Sequence, residues 1–164
     1  MEYQFADGFW WGSATSAPQS EGAAARDGKS RNIFDYWFEI APERFHDRVG
    51  PAEASTFYDH FRADIGLLKT LGHNTFRTSI SWSRLIPDGD GEVNPQAVAF
   101  YNAMIDELLA QGITPFINLY HFDMPLCMQQ RGGWESRAVV EAYARYADIC
   151  FGLFGDRVTH WFTF

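Results

Sequence analysis

Thiols are scarce in this sequence. Its two cysteines, Cys127 and Cys150, have neither redox nor metal-ligand spacing. Both are expected as reduced thiols, which suits the cytoplasm. Cationic charge is also short, with 13 Lys and Arg against 21 Asp and Glu, a net charge of −8 and no basic run. That balance argues against a nucleic-acid partner. No stretch approaches ~20 uninterrupted apolar residues, so no membrane partner is expected. The start, Met1-Glu2-Tyr3-Gln4-Phe5-Ala6-Asp7, has neither the basic nor the apolar region of a secretory signal. Low-complexity segments and linkers are absent too, so residues 1–164 read as part of a single domain.

Aromatic residues, by contrast, are abundant. Six Trp, seven Tyr and fifteen Phe make 17% of the chain. Two uses fit: a bulky core, or rings laid against the apolar faces of sugars in a cleft. With 46% apolar and 21% charged residues, the chain has the composition of a folded globular protein.

The patterning alternates strands and helices. Phe9–Ser16 reads as a first strand. Ser55 is a candidate cap for a helix with Phe57, Phe61, Ile65, Leu68 and Leu71 on one side, closed by Gly72. Thr75–Ile80 follows as a strand. Asn94-Pro95 opens a second helix with the stripe Val98, Tyr101, Ile105, Leu108 and Leu109, ending before Gly112. Thr114–Tyr120 reads as a buried parallel strand, with Pro115 tolerable only near its beginning. Ser136 is placed to cap a third helix with Val140, Tyr143, Ala147, Cys150, Phe151 and Phe154 on one face, before the strand Val158–Phe164. A period of about 40 residues per unit, with reactive side chains at the strand ends, predicts an α/β chain forming the N-terminal half of a (β/α)₈ barrel, about strands one to four. A whole barrel needs roughly 200 residues or more, so the sequence reads as cut. No glycine-rich phosphate loop follows a strand, which weakens the open-sheet alternative. Ala23–Ala54 reads as a long insertion on the C-terminal face, where such excursions shape clefts.

Several polar residues stand at these strand ends. The Gln19 amide can donate and accept together, which suits neighbouring sugar hydroxyls. Glu21, two residues on, is assigned a structural role in holding the loop. Arg77 lies inside a neutral strand, where a buried guanidinium needs an anion from another strand; a catalytic carboxylate kept ionised and a plain salt bridge both satisfy that need. Trp82 and Arg84 suit packing or cleft formation. His121 and Asp123 would face the same way if the strand continued through them. With His160 they form a candidate metal set, although the βα repeat suits such a centre poorly. His46, His60 and His73 have no ligand-like spacing.

Together these segments resemble glycoside hydrolase family 1, the β-glucosidase and 6-phospho-β-glucosidase family. Phe9–Ala23 is similar to its N-terminal signature, and Arg77-Thr78-Ser79-Ile80-Ser81-Trp82-Ser83-Arg84 to its second-strand motif. Tyr120-His121-Phe122-Asp123-Met124-Pro125 with Gly132-Gly133-Trp134 resembles the third-strand segment. Gly155-Asp156-Arg157-Val158 with Trp161-Phe162-Thr163-Phe164 resembles the approach to the fourth.

The resemblance implies that Gln19 and His121 bind sugar hydroxyls and that Arg77 orients the nucleophilic carboxylate. Phe122 and Trp82 are candidate cleft residues. It further implies an acid/base Asn-Glu pair directly after Phe164 and a nucleophilic Glu on a later strand. Both catalytic carboxylates are thus expected outside this chain, which should not turn over substrate alone. No metal and no cofactor is implied. Pro18 and Phe122 depart from the commoner β-glucosidase pattern and, with Phe34-Asp35-Tyr36-Trp37-Phe38 and Asp47-Arg48-Val49-Gly50-Pro51, look more like the bacterial 6-phospho-β-glycosidase branch. The implied function is hydrolysis of a β-glycoside, preferably 6-phosphorylated, by a retaining enzyme. The alternatives are a plain β-glucosidase, and a non-catalytic half that self-associates or pairs with a separate C-terminal half.

Overall fold

The computed structural model describes residues 3–164. Met1 and Glu2, the first two residues of the segment read above as lacking a secretory signal, lie outside the described residues.

The chain runs β1 (Gly12–Ala14), α1 (Ala17–Ser20), α2 (Ile33–Ile40), two 3₁₀ turns at Pro42–Arg44 and His46–Arg48, then α3 (Phe57–Thr70) and β2 (Thr75–Ser79). It continues through α4 (Trp82–Leu85), α5 (Pro95–Ala110), β3 (Thr114–Asn118), α6 (Leu126–Gln130), a 3₁₀ turn at Gly133–Glu135, α7 (Arg137–Phe154) and β4 (His160–Phe162). The strands pair in sequence order, β1-β2-β3-β4, and every pairing is parallel. This is the arrangement expected for half of a (β/α)₈ barrel.

The three long helices α3, α5 and α7 form where the periodicity places them, with local adjustments, whereas the short helices α1, α2, α4 and α6 carry no such expectation. Phe57, Phe61 and Ile65 bury one side of α3, but Leu71 is exposed. The residue at the N-terminal cap is Thr56, in a left-handed conformation with φ 54°, rather than Ser55. Asn94 does cap α5, accepting the Gln96 N–H at 3.1 Å. Ser136 occupies the cap position of α7 without making a side-chain bond. On α7 the buried stripe is Val139, Ala142, Tyr146, Cys150 and Phe154, turned by about one residue from the expected set. Phe151 lies outside it, packing edge-on against Trp161 at 5.0 Å. The strands are shorter than the apolar runs suggest, although the ladder outlasts β2: Ile80 N–H still reaches the Asn118 carbonyl at 3.1 Å.

The two faces of the sheet differ. Phe76 and Ile80 of the second strand segment, with Ile117 and Leu119 of the third, enter the helix-side core. On the opposite face, strand register aligns Ala14, Arg77, Phe116 and His160 in one row, each exposed or half-buried. Trp10 lies across that row, with ring contacts to Phe116 at 5.2 Å and His160 at 5.4 Å.

The excursion Ala23–Ala54 is anchored rather than loose. Asn32 Oδ1 accepts the Phe34 and Asp35 amides, and Asp35 Oδ2 accepts the Asn32 amide, a reciprocal cap on α2. Lys29 Nζ meets the same Asp35 oxygen at 2.6 Å, with both side chains buried. Backbone bonds from Ile33 N to Met124 O and from Leu126 N to Arg31 O tie the excursion to the loop after β3.

Candidate functional site

Three segments converge at the C-terminal ends of the strands around a cavity of about 380 Å³. The turn after β1 contributes Pro18 and Gln19, and the loop after β3 contributes His121 and Phe122. The excursion closes the far side with Phe34, Phe45 and the stretch 49–51. Among the described residues the wall carries neither a carboxylate nor a cation.

Gln19 is exposed, and its Oε1 accepts the Ser16 hydroxyl at 2.7 Å. That bond fixes the amide and leaves its nitrogen available to a ligand. His121 is half-buried. Burial first, and the Arg77 charge second, hold its imidazole below the usual value. At neutral pH the ring is therefore uncharged, with one donor and one acceptor nitrogen. Phe122 is 57% exposed, an apolar ring beside two hydrogen-bonding side chains.

Arg77 stands on the uncovered face of the sheet, and Nη1 donates to the Thr15 carbonyl at 2.8 Å. No ion pair among the described residues includes it. The buried arginine with an anionic partner is Arg84 instead. It is fully buried, and its Nε donates to Glu21 Oε2 at 2.8 Å. Glu21 Oε1 accepts the Tyr101 hydroxyl at 2.8 Å, so Glu21 is structural, through its side chain. Arg84 Nη1 has no hydrogen bond, but the guanidinium lies 4.3 Å from the centre of the Tyr58 ring. A charged residue inside the run Ser81–Ile86, all of it buried, was the available sequence signal for this ion pair.

The expectation that Trp82 lines a cleft is corrected. The chain after β2 turns at once into α4, which buries all four of its side chains. Trp82 stacks on Tyr146 at 5.3 Å and donates its indole N–H to the Gly89 carbonyl. His121 and Asp123 do not share a face either. The strand ends at Asn118, so His121 borders the cavity while Asp123 is fully buried behind it. Among the described residues no group of three His, Cys, Asp or Glu side chains is placed to hold a metal ion.

Four parallel strands paired in sequence order, with a cavity at their C-terminal ends, have the architecture of half of a (β/α)₈ barrel. Residues 1–164 match the family model described as Glycosyl hydrolase family 1, and the chain belongs to that family. It is 62% identical over 162 residues to the 6-phospho-beta-glucosidase GmuD of Bacillus subtilis, covering 99% of this chain and 35% of that protein. It is 42% identical over 161 residues to the cytosolic beta-glucosidase of Homo sapiens, covering 97% and 34% respectively. Among solved structures, aphid myrosinase superimposes with a TM-score of 0.94 at 35% identity, covering 98% of this chain and 35% of its own. The family 1 β-glucosidase from Thermotoga maritima gives 0.93 at 39% identity, covering 98% and 36%. The chain spans about a third of the length of these relatives, and its fold is an α/β half-barrel.

Proposed function

We propose that this chain forms the sugar-contacting wall of a retaining β-glycosidase whose substrate is a 6-phospho-β-glucoside. The supporting observation is that Gln19 and His121, from two different strand ends, border one cavity beside the Phe122 ring. The amide and the neutral imidazole would hydrogen-bond sugar hydroxyls, and the ring would cover an apolar face of the sugar. Retaining hydrolysis needs two carboxyl groups about 5–5.5 Å apart, one as nucleophile and one as acid then base. The wall has none, so both would come from outside these residues, with Arg77 orienting the nucleophile. The site works without metal or cofactor in this reading, in the cytoplasm.

Preference for the phosphorylated sugar rests on the 62% identity to the Bacillus enzyme, against 42% to the human β-glucosidase. The neutral wall means that the phosphate would be held elsewhere. The test compares nitrophenyl β-glucoside with its 6-phosphate, using the protein in its full encoded length. Hydrolysis favouring the phosphate is expected. Preference for the free glucoside would make it a plain β-glucosidase, and hydrolysis of neither would overturn the proposal. The 164-residue chain alone is expected to hydrolyse neither compound.

A further inference from the structure

The turn that carries His121 breaks two local rules at once. Phe122 has φ 63°, a left-handed conformation that a bulky non-glycine residue rarely adopts. Asp123, next along, is fully buried, and its Oδ2 makes no hydrogen bond. For stability alone, glycine would serve better at the first position and an apolar or fully paired side chain at the second. Both irregularities adjoin His121, whose backbone N–H points back to Asp123 Oδ1 at 3.4 Å. Strain and unpaired burial concentrated at one turn mark a geometry kept for function.

We propose that Asp123 is a positioning residue: its carboxylate receives the His121 backbone N–H across the turn, holds Phe122 in the left-handed conformation, and so aims the imidazole and the phenyl ring into the cavity. This rests on the reading of that cavity as the glycoside site.

Asp123 is faced by Glu21 from the turn after β1, the Ser81 hydroxyl after β2, the Tyr120 phenol on its own loop and the Tyr146 phenol of α7. Burial, with the Glu21 charge behind it and the Ser81 hydroxyl opposing, pushes its carboxyl up to about 6. Protonation there removes the charge that strengthens the bond to His121. The native state holds this proton more tightly than the unfolded chain does. The side chain therefore loses stability for the fold as pH rises from the ordinary carboxylate range through about 6. A neutral isostere should consequently be no less stable at about pH 7.5.

The decisive variant is Asp123→Asn in the full encoded length. It is read by melting temperature, by kcat and KM for both nitrophenyl glucosides between about pH 5 and 8, and by the His121 ring resonances. An unchanged or higher melting temperature at about pH 7.5 is expected, with kcat/KM about tenfold lower, mainly through KM. The limb of the pH profile near 6 should move and the His121 resonances should shift. A lower melting temperature would make Asp123 merely structural and overturn the proposal. Unchanged kcat/KM with unchanged resonances would overturn it as well. If the wild type hydrolyses neither glucoside and the variant still displaces the His121 resonances, the positioning role stands and the glycosidase reading falls.

Discussion

At the scale of single residues, burial decides what each charge does. Glu21 and Arg84 lie 63 positions apart in sequence and neutralise each other inside the core, with Tyr101 sharing the carboxylate. Burial first, and the Glu21 charge next, drive the Tyr101 phenol well above its usual value, so it stays a hydrogen-bond donor across the working pH range. Removing one partner of such a pair strands the other charge. Glu21→Gln is therefore expected to lower unfolding free energy by about 3 kcal/mol, measured by urea denaturation. Arg84→Met in the same background should restore part of that loss, because it removes the stranded cation. Little or no change in the single variant would show that the pair contributes nothing net. Gln19 and His121 were legible in the sequence as strand-end hydrogen-bonding residues because strand ends are local features. The partner of Arg84 was not, since no local pattern links positions so far apart.

At the scale of elements, the excursion 23–54 turns a strand-end surface into a cavity. Its helix α2 is only eight residues long, too short to be stable in isolation. The reciprocal Asn32–Asp35 cap, the buried Lys29–Asp35 pair and the backbone bonds to Met124 and Leu126 supply what length does not. Asn32→Ala removes the side-chain acceptor for two amides and should cost about 1 kcal/mol. Hydrogen exchange is the appropriate measurement. Faster exchange across Ile33–Ile40 with α5 unaffected would show a local anchor, whereas a uniform effect would place the cap in the global unfolding unit. The sequence marked this stretch as an insertion beside a cleft. It did not show which of its side chains turn inward, since that depends on contacts with the loop after β3.

At the scale of the whole molecule, the unequal faces of the sheet dominate. Parallel sheets are normally covered on both sides. Here the helices cover one, while the row containing Arg77, Phe116 and His160 is shielded only in part by Trp10. Among the described residues β1 and β4 also each pair on one side alone. Exposed edges and apolar surface promote association. The isolated 164-residue chain is accordingly expected to self-associate with rising concentration in sedimentation velocity. A monomer at all concentrations, with no dye-accessible apolar surface, would contradict this.

The sequence by itself determined the order of the four strands and of the three long helices between them, the parallel sheet, and Gln19 and His121 as strand-end residues, but not the short helices α1, α2, α4 and α6. Periodicity, capping residues and strand ends are all written within a few positions of one another. Tertiary structure alone decided that Trp82 is core rather than cleft and that Arg84, not Arg77, is the buried arginine with an ion-pair partner. It also set the inward face of α7 one residue from the apparent stripe. These outcomes depend on which surfaces meet after the chain closes on itself. An amphipathic pattern constrains that meeting without fixing it, because several neighbouring faces are apolar enough to be buried and only packing against particular partners selects among them.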